Sequence, residues 1–337
     1  MTVKLATDRR ALPLSRPLPD ERGPVPAERS LRIFTGNANR PLAEAICREL
    51  GIAIGDATVD QFADGETSVK INENIRGADI FVFQPTFAPA TNLMELLVMI
   101  DAVRRASARR VTAVIPYFGY QRQDRKDQPR VPITAKLVAN LITTAGADRV
   151  MTMDLHSAQI QGFFDIPFDH LYAAPVLVDY FTRLTVRDLT AIAPDIGSVK
   201  MARAYAKRLG VGLAVVDKRR PRPDAVEMMN IIGEVEGKNV VIFDDILSTG
   251  STLVEAARAL RDAGARDIYA AVTHGVLCGD APERIQASYV KELAITDSIP
   301  HLPNSLPSKI RVLPVASLLA EAIRRIHDEE SLSSLFI

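Results

Sequence analysis

Short apolar runs that alternate with segments of helical periodicity are the feature of this chain that most constrains its fold. The runs that predict strands read LRIF, DIFVF, VTAVI, TAIA, GLAVVD, VVIFDD, DIYAAVTH and ELAIT. Helical spacing between them predicts helices at 41–50, 92–106, 134–144, 174–184, 199–209 and from Thr252 to Ala263. Strands and helices in alternation are typical of doubly wound parallel sheets, and the pattern restarts after Asp169, which indicates two α/β units.

The chain divides into an extension and two domains by the same pattern. Residues 1–30 contain five prolines among mixed charges, which predicts a disordered N-terminal extension. We place the first domain at 31–172 and the second at 173–309, with the boundary near Tyr172. The last segment, 310–337, contains a strand and an amphipathic helix that we expect to pack back on the first domain.

Composition excludes several classes of protein. The 337 residues include 41 Lys plus Arg and 41 Asp plus Glu, so the net charge is zero, which argues against a nucleic-acid partner and gives no reason to expect an anionic membrane. No apolar stretch approaches the roughly 18 residues of a membrane span, and the N-terminus lacks an apolar signal core. Cys47 and Cys278 cannot form a disulfide framework or a thiolate metal cluster, so we expect a reducing, cytoplasmic location.

A phosphate-binding loop is predicted in residues 240–253, which read VVIFDDILSTGSTL. An apolar strand leads into two carboxylates, then a loop of small and hydroxyl residues, then a helix start whose free N–H groups can hold a phosphate dianion. The predicted phosphate-binding residues are Ser248, Thr249, Gly250, Ser251 and Thr252. Asp244 and Asp245 would repel phosphate, so sugar hydroxyls or Mg²⁺ suit them better, and a phosphorylated sugar is the predicted ligand. The alternative is an ordinary capped helix after solvated aspartates.

Two more strand ends have residues suited to nucleotide or metal binding. The segment 119–130 brings four cations and two aspartates together after the strand VTAVIPYF, which favours nucleotide phosphate, although a solvated loop is an equal alternative. Asp154 and His156 stand two residues apart after MTM. In extended chain such residues point the same way and could share Mg²⁺ or its waters, whereas a structural Asp–His contact is the alternative.

Three further segments are candidates for the same chemistry. The run 216–225 clusters Lys218 with three arginines, which predicts a mobile flap that closes over phosphoryl groups, or else an exposed basic hairpin. Asp195, followed by Gly197 and Ser198, precedes a helix and is a candidate anion site. The segment QFADGETSVKI has an aromatic residue beside two acceptors that could hold a purine, although a simple hairpin turn is the alternative; these residues are Phe62, Asp64 and Glu66.

Taken in order, the motifs FADGE, RQDRKD, VPITAKLVANL, DLH-AQIQGFFDIP, DKRRPRP and DDI--T--T resemble those of the ribose-phosphate diphosphokinase, or PRPP synthetase, family. The resemblance runs from about Leu31 to Phe336. It implies an α/β fold with two doubly wound parallel-sheet domains of phosphoribosyltransferase type. It also implies an enzyme that transfers the diphosphoryl group of ATP to the anomeric hydroxyl of ribose 5-phosphate, with Mg²⁺ as cofactor.

Motif matches to this family imply roles for individual residues. ATP would be held by Arg122, Gln123, Asp124 and His156, and its adenine by Phe62, Asp64 and Glu66 from a neighbouring subunit. The metal ligands would be Asp154, His156 and Asp195, and the catalytic cations Lys218 and Arg220. Ribose 5-phosphate would contact Asp195, Asp244, Asp245 and the loop from Ser248 to Thr252. A homo-oligomer, dimer-based or hexameric, and an allosteric phosphate or ADP site at Ser331 and Ser333 are implied as well.

Two departures from the common family pattern keep alternatives open. The phosphate loop usually reads Asp-Thr-Ala-Gly-Thr or similar, so Ser248 replaces a carboxylate here. Ser198 stands where a second glycine is usual and adds a side chain near the substrate. The alternatives are a non-catalytic regulatory subunit associated with a synthetase, and a phosphoribosyltransferase that consumes PRPP. The retained Lys218, Arg220, Asp154 and His156 argue against the regulatory subunit.

Overall fold

A computed structural model describes residues 30–219 and 228–336 of the chain. The predicted disordered extension, apart from residue 30, lies outside the described residues, and so do Arg220 and most of the predicted flap. Within the described part of the chain, no helix is long and apolar enough to cross a membrane.

The first half of the chain forms a parallel five-stranded sheet with the order β1-β4-β5-β6-β7. Its elements are β1 (Leu31–Thr35), α1 (Arg40–Leu50), β2 (Ala57–Gln61), β3 (Thr67–Ile71), β4 (Asp79–Phe83), α2 (Thr91–Arg105), β5 (Arg110–Ile115), α3 (Thr134–Ala145), β6 (Arg149–Met153) and β7 (Phe168–Leu171). β4 is buried along its whole length, which explains the apolar run IFVF that follows Asp79, since helices cover both faces of such sheets. β2 and β3 form a separate antiparallel hairpin.

The second half forms a seven-stranded sheet with the order β10-β9-β8-β11-β12-β13-β14. Its elements are α4 (Ala174–Arg183), β8 (Leu189–Ala193), α5 (Val199–Leu209), β9 (Gly212–Arg219), β10 (Met228–Ile232), β11 (Asn239–Leu247), α6 (Ser251–Asp262), β12 (Ile268–Gly275), α7 (Ala281–Ala287), β13 (Val290–Thr296), β14 (Ile310–Leu313) and α8 (Ala316–His327). Its strands run parallel except for β10, which pairs antiparallel with β9. The predicted fold class, α/β with two doubly wound parallel sheets, is confirmed.

The C-terminal segment is shared between the two halves. We expected residues 310–313 to pack on the first domain, but they form β14, which pairs with β13 in the second sheet. The parallel partner strand satisfies their backbone groups in that sheet. α8 lies against α1. Arg110 donates to the carbonyl of Ile326 at 2.9 Å, and His327 is 2.8 Å from the carboxylate of Asp79. We propose the domain boundary near residue 172, between β7 and α4.

One apolar core contains residues of both sheets. Met153 and Phe81 of the first sheet belong to the same buried cluster as Phe243 and Tyr269 of the second, together with residues of α1, α4, α5 and α8. The rings of Tyr205 and Phe243 stack with centroids 4.0 Å apart. Because buried side chains pack closely, this shared core holds the two sheets in place relative to each other. The carboxyl ends of their strands, where ligands of parallel sheets bind, are therefore held in place on both sides.

Candidate functional site

A direct contact between His156 and Asp245 joins the two halves of the site. His156 follows β6 of the first sheet, and its Nδ1 lies 2.7 Å from Oδ2 of Asp245 on β11 of the second. The backbone N–H of His156 also donates to Oε1 of buried Gln121 at 2.8 Å. The candidate nucleotide loop and the candidate sugar-phosphate strand therefore meet in one cleft.

Hydrogen bonding and charge set the protonation of this pair. The hydrogen bond to Asp245 raises the pKa of His156, burial opposes that rise, and the charges of Arg122 and Asp124 act on it in opposite directions. Burial alone would raise the pKa of Asp245, but the hydrogen bond and charge of His156 outweigh burial and hold that pKa below its usual value. Asp245 is therefore an ionised acceptor at neutral pH. Arg122 and Asp124 therefore lie close enough to His156 for their charges to act on its ring.

Two neighbouring carboxylates of the second half act on a third, Asp244. The pKa of Asp244 is raised well above its usual value by burial first, then by the negative charges of Asp245 and Asp195. Asp195 is exposed, and its Oδ1 accepts hydrogen bonds from the backbone N–H of Ser198 at 2.8 Å and from the Ser198 hydroxyl at 3.0 Å. The side chain of Ser198 therefore orients Asp195. Negative charge accumulates here, and the site requires a compensating cation or a proton.

The predicted phosphate loop has the expected anatomy. β11 ends at Leu247, and α6 begins at Ser251, one residue earlier than the sequence predicted. Gly250 has φ of 75°, the left-handed conformation that favours glycine, and no side chain caps α6. The N–H groups of the first turn of α6 therefore remain suited to an anionic ligand. Thr252 is exposed on that turn, and the hydroxyls of Thr249 and Ser251 lie 3.2 Å apart.

Asp154 is buried, whereas His156, two residues later, is exposed. Asp154 is 6% exposed, and its Oδ2 accepts hydrogen bonds from the backbone N–H of Ala173 and the hydroxyl of Thr273, both at 2.8 Å. The sequence argument assumed extended chain, in which alternate side chains share a face, but Asp154 has φ of 37° and breaks that alternation. Its carboxylate accepts two hydrogen bonds inside the protein, and its assignment as a metal ligand stays a prediction.

His274 is a central residue that sequence reasoning missed. It is fully buried at the end of β12, and its Nε2 donates to the carbonyls of Met153 and Asp154 at 3.0 and 3.1 Å, while Nδ1 is 2.9 Å from the Ser298 hydroxyl. Burial lowers the pKa of His274 to about 4, so the ring is neutral near pH 7. Asp154, Thr273, His274 and Ser298 form what we call the polar seam. The position of His274 at a strand end is the signal that could have identified it.

The other predicted ligand-binding residues lie in three places. Gln123 accepts a hydrogen bond from the Thr134 hydroxyl at the start of α3. Phe62, Asp64 and Glu66 lie at the exposed tip between β2 and β3; Phe62 is 59% exposed, which excludes a core role for its ring. Lys218 lies on β9, opposite Met229 of β10, and Arg220 is outside the described residues.

The predicted allosteric serines lie at a separate cavity. A pocket of about 530 Å³ is lined by residues that include Arg110, Arg149 and Ser333. Ser331 contacts Ser333 through their hydroxyls, 3.1 Å apart, and the Ser333 N–H donates to the Ser331 hydroxyl at 3.2 Å. Two arginines and Ser333 thus line this cavity together with three acidic residues, Asp169, Glu329 and Glu330.

Comparison with known proteins identifies the relatives of this chain. A family model described as the N-terminal domain of ribose phosphate pyrophosphokinase matches residues 31–146, and one described as the phosphoribosyl synthetase-associated domain matches residues 220–337. The ribose-phosphate pyrophosphokinase of Rhizobium meliloti is 57% identical over 309 residues, which cover 91% of this chain and 100% of that protein. That of Chlorobaculum tepidum is 53% identical over 310 residues, 92% and 96% of the two chains.

A solved structure gives the same result for the fold. The phosphoribosylpyrophosphate synthetase from Mycobacterium smegmatis is 41% identical and superposes with a TM-score of 0.84, covering 89% of this chain and 99% of that one. The two-sheet arrangement described above is therefore shared with a synthetase of known structure over nearly its full length.

The structural role of Asp154 makes a prediction for stability. Burial raises its pKa from 3.8 to about 6, so its stabilising contribution is fully present below about pH 4 and is lost as the pH rises through about 6. Asp154→Asn keeps an acceptor oxygen for both donors but cannot ionise. We expect its free energy of unfolding, relative to the natural chain, to rise by on the order of 2 to 3 kcal/mol between pH 4 and pH 7.

Urea denaturation of both proteins at pH 4, 5, 6 and 7 measures this difference, and any pH-independent cost of the extra amide group appears as a constant offset. A difference that does not change with pH would show that the carboxyl ionises as freely as in the unfolded chain. A large increase in the Mg²⁺ requirement of Asp154→Asn would instead support its original assignment as a metal ligand.

Proposed function

The chain belongs to the ribose-phosphate pyrophosphokinase family and is an enzyme of PRPP synthesis, and we propose that its cleft transfers the β,γ-diphosphoryl group of ATP to the anomeric hydroxyl of ribose 5-phosphate, with AMP as the second product. The observation that carries the proposal is the contact between His156 and Asp245. It brings the nucleotide loop and the sugar-phosphate loop to one place, as direct transfer between two substrates requires.

The second half of the chain suits ribose 5-phosphate. The uncapped start of α6 and the hydroxyls of the loop from Ser248 to Thr252 would hold the 5-phosphate. Asp245, an ionised acceptor, and Asp244 beside it would accept hydrogen bonds from the ribose hydroxyls. Sugar hydroxyls can donate hydrogen bonds to these carboxylates, whereas a phosphate group would repel them.

The first half suits ATP with Mg²⁺. Arg122 supplies positive charge beside His156, and Gln123 and Asp124 belong to the same loop. Among residues 30–219 and 228–336, no three His, Cys, Asp or Glu side chains form a group able to hold a metal unaided. Mg²⁺ usually keeps several waters and binds through one or two carboxylates plus substrate phosphates, so it does not require such a group. Asp195 and His156 would hold it, and the raised pKa of Asp244 among three carboxylates reflects the same need for a cation.

The chemistry asks the protein mainly for positioning and charge stabilisation. When bound, Mg²⁺ would neutralise charge on the triphosphate of ATP. The loop and the two aspartates would orient the ribose so that its anomeric oxygen faces the β-phosphorus. Lys218 and Arg220 would meet the diphosphoryl group as charge develops during transfer. No covalent intermediate with the enzyme is needed.

Two further features extend the proposal beyond one subunit. Phe62 projects from the β2–β3 hairpin, and we place the adenine of a neighbouring subunit against it, with Asp64 and Glu66 nearby. The enzyme would then be a homo-oligomer built from dimers. We also place an anionic effector, such as phosphate or ADP, at the cavity of Arg110, Arg149 and Ser333, which acidic residues line as well.

The proposed activity is tested by incubating the purified protein with Mg-ATP and ribose 5-phosphate and without any base. We expect AMP and PRPP in equal amounts, because the diphosphoryl group moves intact. A phosphoribosyltransferase would release no AMP under these conditions. A regulatory subunit would also release none by itself and would act only when an active synthetase is added.

The phosphate loop makes the second prediction. Thr252→Ala removes an exposed donor at the start of α6, which should cost roughly 1.5 to 3 kcal/mol of binding to a charged group. We therefore expect the KM for ribose 5-phosphate to rise about tenfold or more, with the KM for ATP nearly unchanged. Thr91→Ala, which alters an exposed threonine in the first turn of α2, is the matched control and should change neither KM.

An alkylation experiment checks the same placement without catalysis. The exposed Cys278 thiol lies 3.5 Å from the Ser248 hydroxyl, whereas Cys47 is buried. Ribose 5-phosphate should therefore slow the alkylation of Cys278, and ATP alone should protect it less. Protection by ATP alone, together with an altered ATP dependence in Thr252→Ala, would show that the two substrates have been placed in the wrong sites.

The exposed hairpin makes the third prediction. Phe62→Ala should raise the KM for ATP by about tenfold, because stacking on a base contributes roughly 1 to 3 kcal/mol. It should leave the thermal unfolding midpoint unchanged, since the ring is 59% exposed. Leu302→Ala, at another strongly exposed apolar residue, is the control. An unchanged ATP dependence in an enzyme that sedimentation shows to be assembled would contradict the placement of adenine at Phe62.

A further inference from the structure

The segment 278–287, which contains α7, packs against the phosphate loop at three successive points. The N–H of Cys278 donates to the carbonyl of Ser248 at 2.9 Å. A Cβ built on Gly250 would lie 3.5 Å from the end of the Ile285 side chain, so the loop backbone passes directly over that residue. Arg284 Nη1 donates to the Ser251 hydroxyl at 2.7 Å. We call this segment the buttress, because it packs against the loop that follows β11.

Arg284 is held in place by its other contacts. Its Nη2 lies 2.8 and 2.9 Å from the two carboxylate oxygens of Asp280, one turn earlier, and the guanidinium side chain is 36% exposed. The planar guanidinium presents its donors in a fixed fork, so pairing with Asp280 sets the direction of the donor that reaches Ser251. Both terminal nitrogens of Arg284 already have partners, which favours a supporting role over direct contact with a substrate.

The contact from Arg284 determines how Ser251 can act. A guanidinium donates only, so Ser251 Oγ is the acceptor and keeps its own proton to donate elsewhere. Thr249 Oγ1, at 3.2 Å, lies on the loop side of that hydroxyl, and the amide groups at the start of α6 are adjacent. A hydroxyl that accepts from a cation is also a stronger donor, because hydrogen bonds in a chain polarise one another.

We propose that Arg284 is a positioning residue for ribose 5-phosphate: it fixes the Ser251 hydroxyl as a hydrogen-bond donor toward the 5-phosphate. This inference rests on the proposed placement of that phosphate in the loop. The serine at position 251 stands where the common loop pattern has glycine, and the carboxylate usual at position 248 is absent. In this loop Ser251 thus supplies a hydrogen-bond donor, and Arg284 of the buttress orients that donor and brings a positive charge close to it.

A double-mutant cycle tests the proposal. Arg284→Met, Ser251→Ala and the double variant are compared by their KM for ribose 5-phosphate, their KM for ATP and kcat. We expect each single variant to raise the KM for ribose 5-phosphate about fivefold to tenfold, with kcat and the KM for ATP within twofold. The double variant should be no worse than the single ones, because both remove the same donor. Arg284→Lys should recover little, since an ammonium lacks the fork.

Arg183→Met is the matched control, because Arg183 forms a similar pair four residues apart with Asp179 on α4 and is 80% exposed. An Arg284→Met enzyme that behaves like this control would overturn the proposal. Multiplicative effects in the double variant would do the same, because Arg284 would then act without Ser251. Arg284→Gln provides the same comparison if Arg284→Met does not fold. Thr252→Ala, measured alongside, separates the two hypotheses: if it too leaves the KM for ribose 5-phosphate unchanged, the placement of the phosphate itself is wrong.

Discussion

Two donors from different parts of the molecule meet on one buried oxygen, Oδ2 of Asp154. One is the N–H of Ala173, where α4 begins, and the other is the hydroxyl of Thr273 on β12 of the second sheet. His274, the next residue, donates to the carbonyls at the end of β6. Leaving any of these groups unpaired inside the protein would cost about 1 to 3 kcal/mol, so the polar seam fixes where the two sheets meet. The cleft between the two sheets therefore depends on the hydrogen bonds of the polar seam.

The seam also determines the electrostatics of the cleft. With the sheet ends held together, His156 of the first half reaches Asp245 of the second, and Asp195 lies close enough to Asp244 to help raise the pKa of that carboxyl. A site with this excess of carboxylates would repel two phosphorylated substrates. In the proposed reaction, the cationic side chain of Arg122 and a divalent cation would offset that repulsion and allow two anions to react here. The apolar core shared by both sheets keeps the charged groups from relaxing apart.

The phosphate loop shows a second kind of dependence. Its backbone donors come from the path of the chain between β11 and α6, which glycine at position 250 permits through a positive φ. The direction of its hydroxyls depends on neighbours that are remote in sequence: Arg284 lies 33 residues after Ser251, and Cys278 lies 30 residues after Ser248. The position of these side-chain donors therefore depends on the neighbouring element that holds them, which here is the buttress that contains α7.

The sequence by itself determined the alternating strands and helices, the α/β class and the loop from Ser248 to Thr252, because periodicity and helix-start chemistry are local properties of the chain. It also placed His156 and Asp245 at strand ends, without showing that they touch. Tertiary structure alone decided that Asp154 turns inward while His156 faces the cleft, since a positive φ at Asp154 breaks the alternation that the sequence argument assumed. It likewise decided the roles of His274 and Arg284 and the pairing of β14 with β13, because each depends on partners that only folding brings together.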